Sequence, residues 1–219
     1  MSKLAWDQTG ERQYETGTKK GVYYPMSDAG DYEGGVAWNG LTGVTESPSG
    51  AESTALYADD IKYLDLTSAE ELGGTITAYT YPPEFGEADG SAEPVEGVVI
   101  GQQARKTFGM SYQSTIGNDV KGNDYGYKLH LIYGMKVSPA ERAYATINDS
   151  PEAIEFSWEF TTTPVAVTGF KPTACLTINS TKVDATKLQE LEDILYGSES
   201  EEARLPLPDE VINLLKTSA

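Results

Sequence analysis

Residues 152–167, EAIEFSWEFTTTPVAV, alternate strictly. Ile154, Phe156, Trp158 and Phe160 fall on even positions, and Glu155, Ser157, Glu159 and Thr161 on odd ones. Successive side chains of a strand point to opposite faces. This period of two therefore predicts a strand with one aromatic face for a core and one face of carboxylates and hydroxyls. TITAYTY (75–81) alternates in the same way and stops at Pro82. GVYYP (21–25), VAWNGLTGVTES (36–47), ARKTFGMSYQSTI (104–116), YGYKLHLIYGMKV (125–137) and KPTACLTINS (171–180) supply further strands. The segments 104–116 and 125–137 read as a hairpin around a long connection, GNDVKGND (117–124). PSGAE (48–52) is a turn, and PPEFGEADG (82–90) one helical turn after its prolines. Residues 53–74 read as a long acidic loop with strand-like ends, and 91–103 as a loop.

A period near 3.6 appears only late in the chain. Asp184 is placed to cap a helix with Leu188, Leu191, Ile194 and Leu195 on one face, Glu190, Glu192 and Asp193 on the other, and Gly197 at its stop. SESEEAR (198–204) is a charged linker. Pro208 then opens a short helix with Val211, Leu214 and Leu215 on one face. The expected fold is mainly β: two packed antiparallel sheets, a sandwich or barrel, with a flanking α-helix and extended loop and terminal arms. An N-terminal arm spans 1–20, the β domain with helix 184–196 spans 21–197, and a C-terminal extension with its short helix spans 198–219.

Composition narrows the function. Sixteen basic against 34 acidic residues give a net charge of −18, which disfavours gripping nucleic acid by its phosphates or docking on an anionic membrane. It leaves room for a surface that nucleic acid must pass without sticking. MSKLAWDQTG lacks the apolar run of a secretory signal, no stretch reaches the ~20 apolar residues of a membrane span, and a lone Cys175 forms no internal disulfide. A product made in a reducing cytoplasm is expected.

Catalytic chemistry finds little support. His130 is the one histidine and has no histidine cluster to join, so a structural or surface role is expected, and Cys175 reads as a packed thiol. Gly117 and Gly122 have phosphate-loop spacing but are followed by Asn123 and Asp124, not by Lys and a hydroxyl residue. Asp28, Asp31 and Glu33 form one acidic group and Asp119 and Asp124 another, neither with calcium-loop spacing. Four residues of strand put Glu155 and Glu159 about 13 Å apart, beyond the ~5–9.5 Å of glycosidase carboxylates. Asn148-Asp-Ser150 and Asn179-Ser-Thr181 match the glycosylation pattern, which has no meaning without export. Trp6 and Trp38 sit in polar or Gly-rich surroundings and are candidate interface anchors, whereas Trp158 belongs to a core face. No enzyme, metal or cofactor is expected.

Several collinear segments resemble the major tail proteins of long-tailed bacteriophages and related prophages. They are GVAWNGLTGVTESPSGAESTALYADDIKYLDLTSAEE (35–71), AYTYPPEFGEADGS (78–91), GQQARKTFGMSYQSTIGND (101–119), GYKLHLIYG (126–134), NDSPEAIEFSWEFTTTPVAVTGFKPTACLTINST (148–181) and LEDILYG (191–197). The resemblance implies a tail tube protein of the virion: rings of six subunits, stacked into a hollow tube through which DNA is ejected, with sheets of neighbours joined around the lumen. It implies a loop reaching the next ring at 57–72, here carrying Tyr57, Asp59, Asp60, Lys62, Tyr63 and Asp65, with its basal turn at 47–52. It also implies partners: other copies of the chain, a tape measure protein, and tail tip and terminator proteins. Some members add an immunoglobulin-like C-terminal domain, for which this chain is too short.

On that basis Glu155, Ser157, Glu159 and Thr161 are expected to line the lumen, where carboxylates repel phosphate. Six copies of −18 give a ring about −108 before counterions, felt only within ~8–10 Å of the wall. The alternative is that these acids face outside solvent. Arg105 and Lys106, a rare basic pair, are expected either to meet a neighbour's carboxylates or to stay solvated. Two other functions fit the same β class: the inner tube of a contractile tail or injection device, and a carbohydrate-binding or adhesin module.

Overall fold

The computed structural model describes residues 3–147, 149 and 152–216. Parts of both expected terminal segments, and of the Asn148-Asp-Ser150 pattern, lie outside those residues. The chain is mainly β, as its alternation predicts. Its strands are β1 (Gln13–Pro25), β2 (Val36–Ala37), β3 (Leu41–Gly50), β4 (Ser53–Ala58), β5 (Ile61–Thr67), β6 (Glu70–Ala78), β7 (Ala92–Val95), β8 (Val98–Ile100), β9 (Phe108–Asn118), β10 (Gly122–Val137), β11 (Phe156–Thr162) and β12 (Cys175–Asn179). A 3₁₀ turn spans Pro83–Glu87, and the helices are α1 (Ala185–Tyr196) and α2 (Pro208–Leu215).

Eight strands form one antiparallel path, β2-β1-β9-β10-β11-β6-β3, with β12 paired to β10. The path folds over at β10. Residues 128–132 of β10 pair with β12, and Met135–Val137 pair with β11. Between them the register shifts, and Gly134 takes φ +60. A Cβ at Gly134 would lie 2.2 Å from the Thr163 carbonyl oxygen, so the bend needs a residue without one.

Two cores result. Between the two folded layers lie Tyr23, Trp38, Ile76, Phe85, Met110, Ile132, Trp158 and Phe160. On the opposite face of β1, β9 and β10, Tyr24, Leu129, Leu131 and Tyr133 pack against Leu188, Leu191 and Leu195 of α1 and Val211 of α2. β9 is therefore covered on both sides, and all its residues but Ser114 are buried. The hydroxyls of Tyr24 and Tyr133 pin the helical layer by donating to the carbonyls of Leu195 (2.7 Å) and Pro206 (2.9 Å).

The alternation of 156–162 holds. Trp158 and Phe160 are buried, Phe156 is half-buried, and Ser157, Glu159 and Thr161 are exposed. Ile154 precedes the strand and is exposed, so it does not join the core face. The α1 boundaries hold as well, with the Asp184 carboxylate accepting from the amides of Thr186 and Lys187.

Other expectations are corrected. Residues 13–20 of the N-terminal arm are strand, paired with β9, and their polar sequence reflects two wet faces. The acidic loop is a hairpin, β4–β5, turning at Asp59 and Asp60, both at positive φ as a two-residue hairpin turn requires. Residues 91–103 contain a second hairpin, β7–β8. Glu192 is buried rather than solvated, because Gln113 Nε2 (2.9 Å) and the Tyr127 hydroxyl (2.7 Å) donate to it from the sheet beneath.

Trp38 is not an interface anchor. It is 4% exposed, its Nε1 donates to the Thr80 carbonyl at 2.9 Å, and its ring lies 4.6 Å from that of Phe85 and 5.9 Å from that of Trp158. Its Gly-rich surroundings serve close packing. Trp38→Ala is expected to cost about 3–5 kcal/mol in urea unfolding of the isolated subunit, as a core deletion does.

Candidate assembly surfaces

Register decides what stands on the outer face of the β3–β6–β11 layer. Glu159 pairs with Thr75, which pairs with Thr45. Ser157 pairs with Thr77, and Thr161 with Gly73 and with Lys136 of β10. Directly paired residues share a face. The wall is thus built largely of hydroxyls, with Glu71, Glu159 and Lys136 among them. Glu155 sits just ahead of β11 and accepts from the Thr42 hydroxyl at 2.6 Å. The threonines and Lys136 were missed in the sequence because only pairing reveals their common face. The period of TITAYTY was the one available signal.

The residues expected to reach a neighbouring ring cluster on the β4–β5 hairpin. Among the described residues its strands pair only with each other. Tyr57, Ile61, Tyr63 and Leu66 are 71%, 66%, 69% and 56% exposed. Lys62 and Asp65 form an exposed pair at 2.7 Å. An isolated two-stranded hairpin is marginally stable in water, and this one holds its apolar side chains out on both faces.

The sheet path also ends in open edges. Among the described residues β3 pairs only with β6, and residues 13–20 of β1 pair only with β9. The two ends approach where Leu41 packs on Gly21, leaving no room for a Cβ there. Beyond that point they part around a cleft of about 310 Å³, lined by Thr16, Thr18, Val44, Glu46, Tyr112 and His130.

Glu46 ties the layers together at this cleft. The Tyr112 hydroxyl donates to it, and His130 Nδ1 stands 3.5 Å from the same Oε1. The His130 ring stacks on Tyr112 with centroids 4.6 Å apart, and its Nε2 lies 2.9 Å from the Ser114 hydroxyl. His130 first, then Tyr112, hold the Glu46 carboxyl below its ordinary range against the opposing effect of burial.

Arg105 is spent inside the chain. Its guanidinium lies 3.3 Å from Asp89, which also takes Arg142 and the Trp158 Nε1 (3.2 Å). Arg142 in turn covers the rings of Tyr81 and Phe156. Asp89 is nearly buried and needs these partners, so Arg105 is not available to a neighbour's carboxylates. Lys106 pairs with Glu87 at 2.7 Å on the surface. Trp6, by contrast, is 74% exposed.

Burial raises the half-buried Cys175 thiol, as expected of a packed cysteine. Among the described residues no group of three or more His, Cys, Asp or Glu is placed to hold a metal ion, and no helix is long and apolar enough to cross a membrane. Neither protein-family models nor curated proteins match the chain.

A carboxyl depressed in the folded state contributes stability above its unfolded value, about pH 4.3, and loses it as pH falls through the folded one. Between about pH 5 and pH 3 the protein should therefore lose more stability in urea unfolding than Glu46→Gln does.

Proposed function

We propose that the chain is the repeating subunit of a hollow tube, the tail tube of a long-tailed bacteriophage or related prophage. Six copies form a ring, rings stack, and DNA passes through the lumen without specific binding. The observation that carries this is the β4–β5 hairpin. It is a projecting ladder with no core of its own, bearing tyrosine and aliphatic side chains that need a surface to cover them.

The open edges of β1 and β3 support the same conclusion. Unpaired edges invite pairing with another chain, and joining them around a ring removes them. Because the two edges differ, the contact is head-to-tail, the type that closes rings or extends filaments. Joined this way, the β3–β6–β11 layer keeps its aromatic face on the subunit core and turns Ser157, Glu159 and Thr161 toward the channel. A wall of hydroxyls with few carboxylates offers phosphate no cationic grip except Lys136. The subunit is made in the bacterial cytoplasm and ends in the virion, where its other partners are the tape measure, tip and terminator proteins. The sequence segments that resemble major tail proteins span both the hairpin and the lumen strand.

Electron microscopy of the concentrated protein at physiological salt, with tail tip proteins supplied, tests this. Hollow tubes or six-membered rings of uniform width are expected, and monomers alone would contradict it. Tyr57→Ser/Tyr63→Ser should leave rings that fail to stack, with subunit stability changed by less than about 0.5 kcal/mol. Glu155→Lys/Glu159→Lys should assemble but slow DNA ejection, whereas unchanged ejection would place those residues away from the lumen.

A further inference from the structure

We infer that a groove beside the β7–β8 hairpin of one copy receives the Leu4–Trp6 segment of a second copy. This rests on the self-association proposed above and names a contact within it. The groove holds about 700 Å³ and opens beside Pro25, with Tyr81 and Val99 among its walls and Glu84, Glu87 and Glu93 around it. Val99 is 65% exposed, and its neighbours Val95 and Val98 are 64% and 53% exposed. This is an apolar slot with an acidic rim, suited to a short peptide that brings an aromatic ring and a cation.

The chain carries such a peptide. Lys3, Leu4, Ala5 and Trp6 lie in a segment that is neither helix nor strand, with Leu4 75% and Trp6 74% exposed. A tryptophan left in water forgoes the burial of roughly 150–250 Å². Lys3 supplies the positive charge that the rim lacks. Glu87 already has Lys106, and Glu93 accepts from the Gly97 amide, so Glu84 is the rim carboxylate the lysine would meet.

Geometry excludes the chain's own groove. The arm is tied down at Gly10, whose amide donates to Asp119 and whose carbonyl accepts from Asn118. Asn118 is the far end of β9, paired with Gln13, and the groove lies at the near end, where Phe108 pairs with Pro25. Ten residues of strand separate the ends by about 33 Å. Trp6 is four residues from Gly10 and reaches at most about 14 Å. Donor and acceptor thus sit at opposite ends of one strand pair. A contact between them joins copies head to tail and repeats without limit, which is what a growing tube needs.

The test uses full-length protein with Cys175→Ser as background. Ala5→Cys in one preparation leaves Leu4 and Trp6 intact, and Ala92→Cys in another sets a small thiol in the groove wall while keeping Tyr81, Glu84 and Val99. Mixing and mild oxidation should give a mixed disulfide in preference to same-variant dimers, and Glu84→Lys should weaken the association about fivefold. Trp6 is the one exposed residue of the three tryptophans, so the protein's emission should shift to shorter wavelength on assembly. Same-variant dimers alone, or tubes in which Trp6 stays wet, would overturn this contact and leave the tube standing. The mixed disulfide in a protein that never forms tubes would keep the contact and remove the tube.

Discussion

Both cores of the molecule are held through one strand, β10. Its Leu129, Leu131 and Tyr133 pack under the helices, while Ile132, Met135 and Val137 pack between the folded layers. The bulge at Gly134 lets a single strand pass from pairing with β12 to pairing with β11. Everything that projects is fixed relative to this strand. β11 carries β6, β6 carries β3, and β3 and β6 together lead to the exposed hairpin. Polar clasps then hold the layers in register: Glu46 to Tyr112 and His130 at the cleft, Asp89 to Arg105, Arg142 and Trp158 in the core, and Glu192 to Gln113 and Tyr127 under α1.

Against this well-covered interior, the exterior is left unfinished. Two strand edges, an aromatic hairpin, an acidic slot and a tryptophan-bearing arm all face solvent. Open edges and exposed apolar side chains are hazardous in a monomer, and the proposed contact with a further copy would remove them. The exposed features also differ from one another, so in the assembly we propose the contacts that cover them are head-to-tail. That combination favours an open-ended, polar assembly over a closed dimer.

What could be read from the sequence follows burial. Phe156–Thr162 was legible because one face is dry and the other wet, and α1 because its cap and its leucine stripe agree. Residues 13–20 and the β4–β5 ladder were not, because both faces of each are wet and no alternation survives. Trp38 misled because its Gly-rich sequence neighbours read as surface, whereas its ring packs in the core beside Phe85 and Trp158. Arg105 and Glu192 misled because their partners, Asp89 and Gln113, are distant in the chain. The acidic wall of the sequence became mostly a hydroxyl wall once the register brought in Thr45, Thr75 and Thr77. The face itself was anticipated, and its composition was not.

The central claim is that open strand edges join copies, and backbone amide hydrogen exchange tests it most directly. Outward amides of β3 and of residues 13–20 have no strand partner among the described residues and should exchange quickly in dilute protein. On assembly, alternate amides along both edges should become strongly protected, in the every-second-residue pattern of a new ladder. Amides on both edges that exchange as fast in the assembled protein as in the monomer would contradict the account.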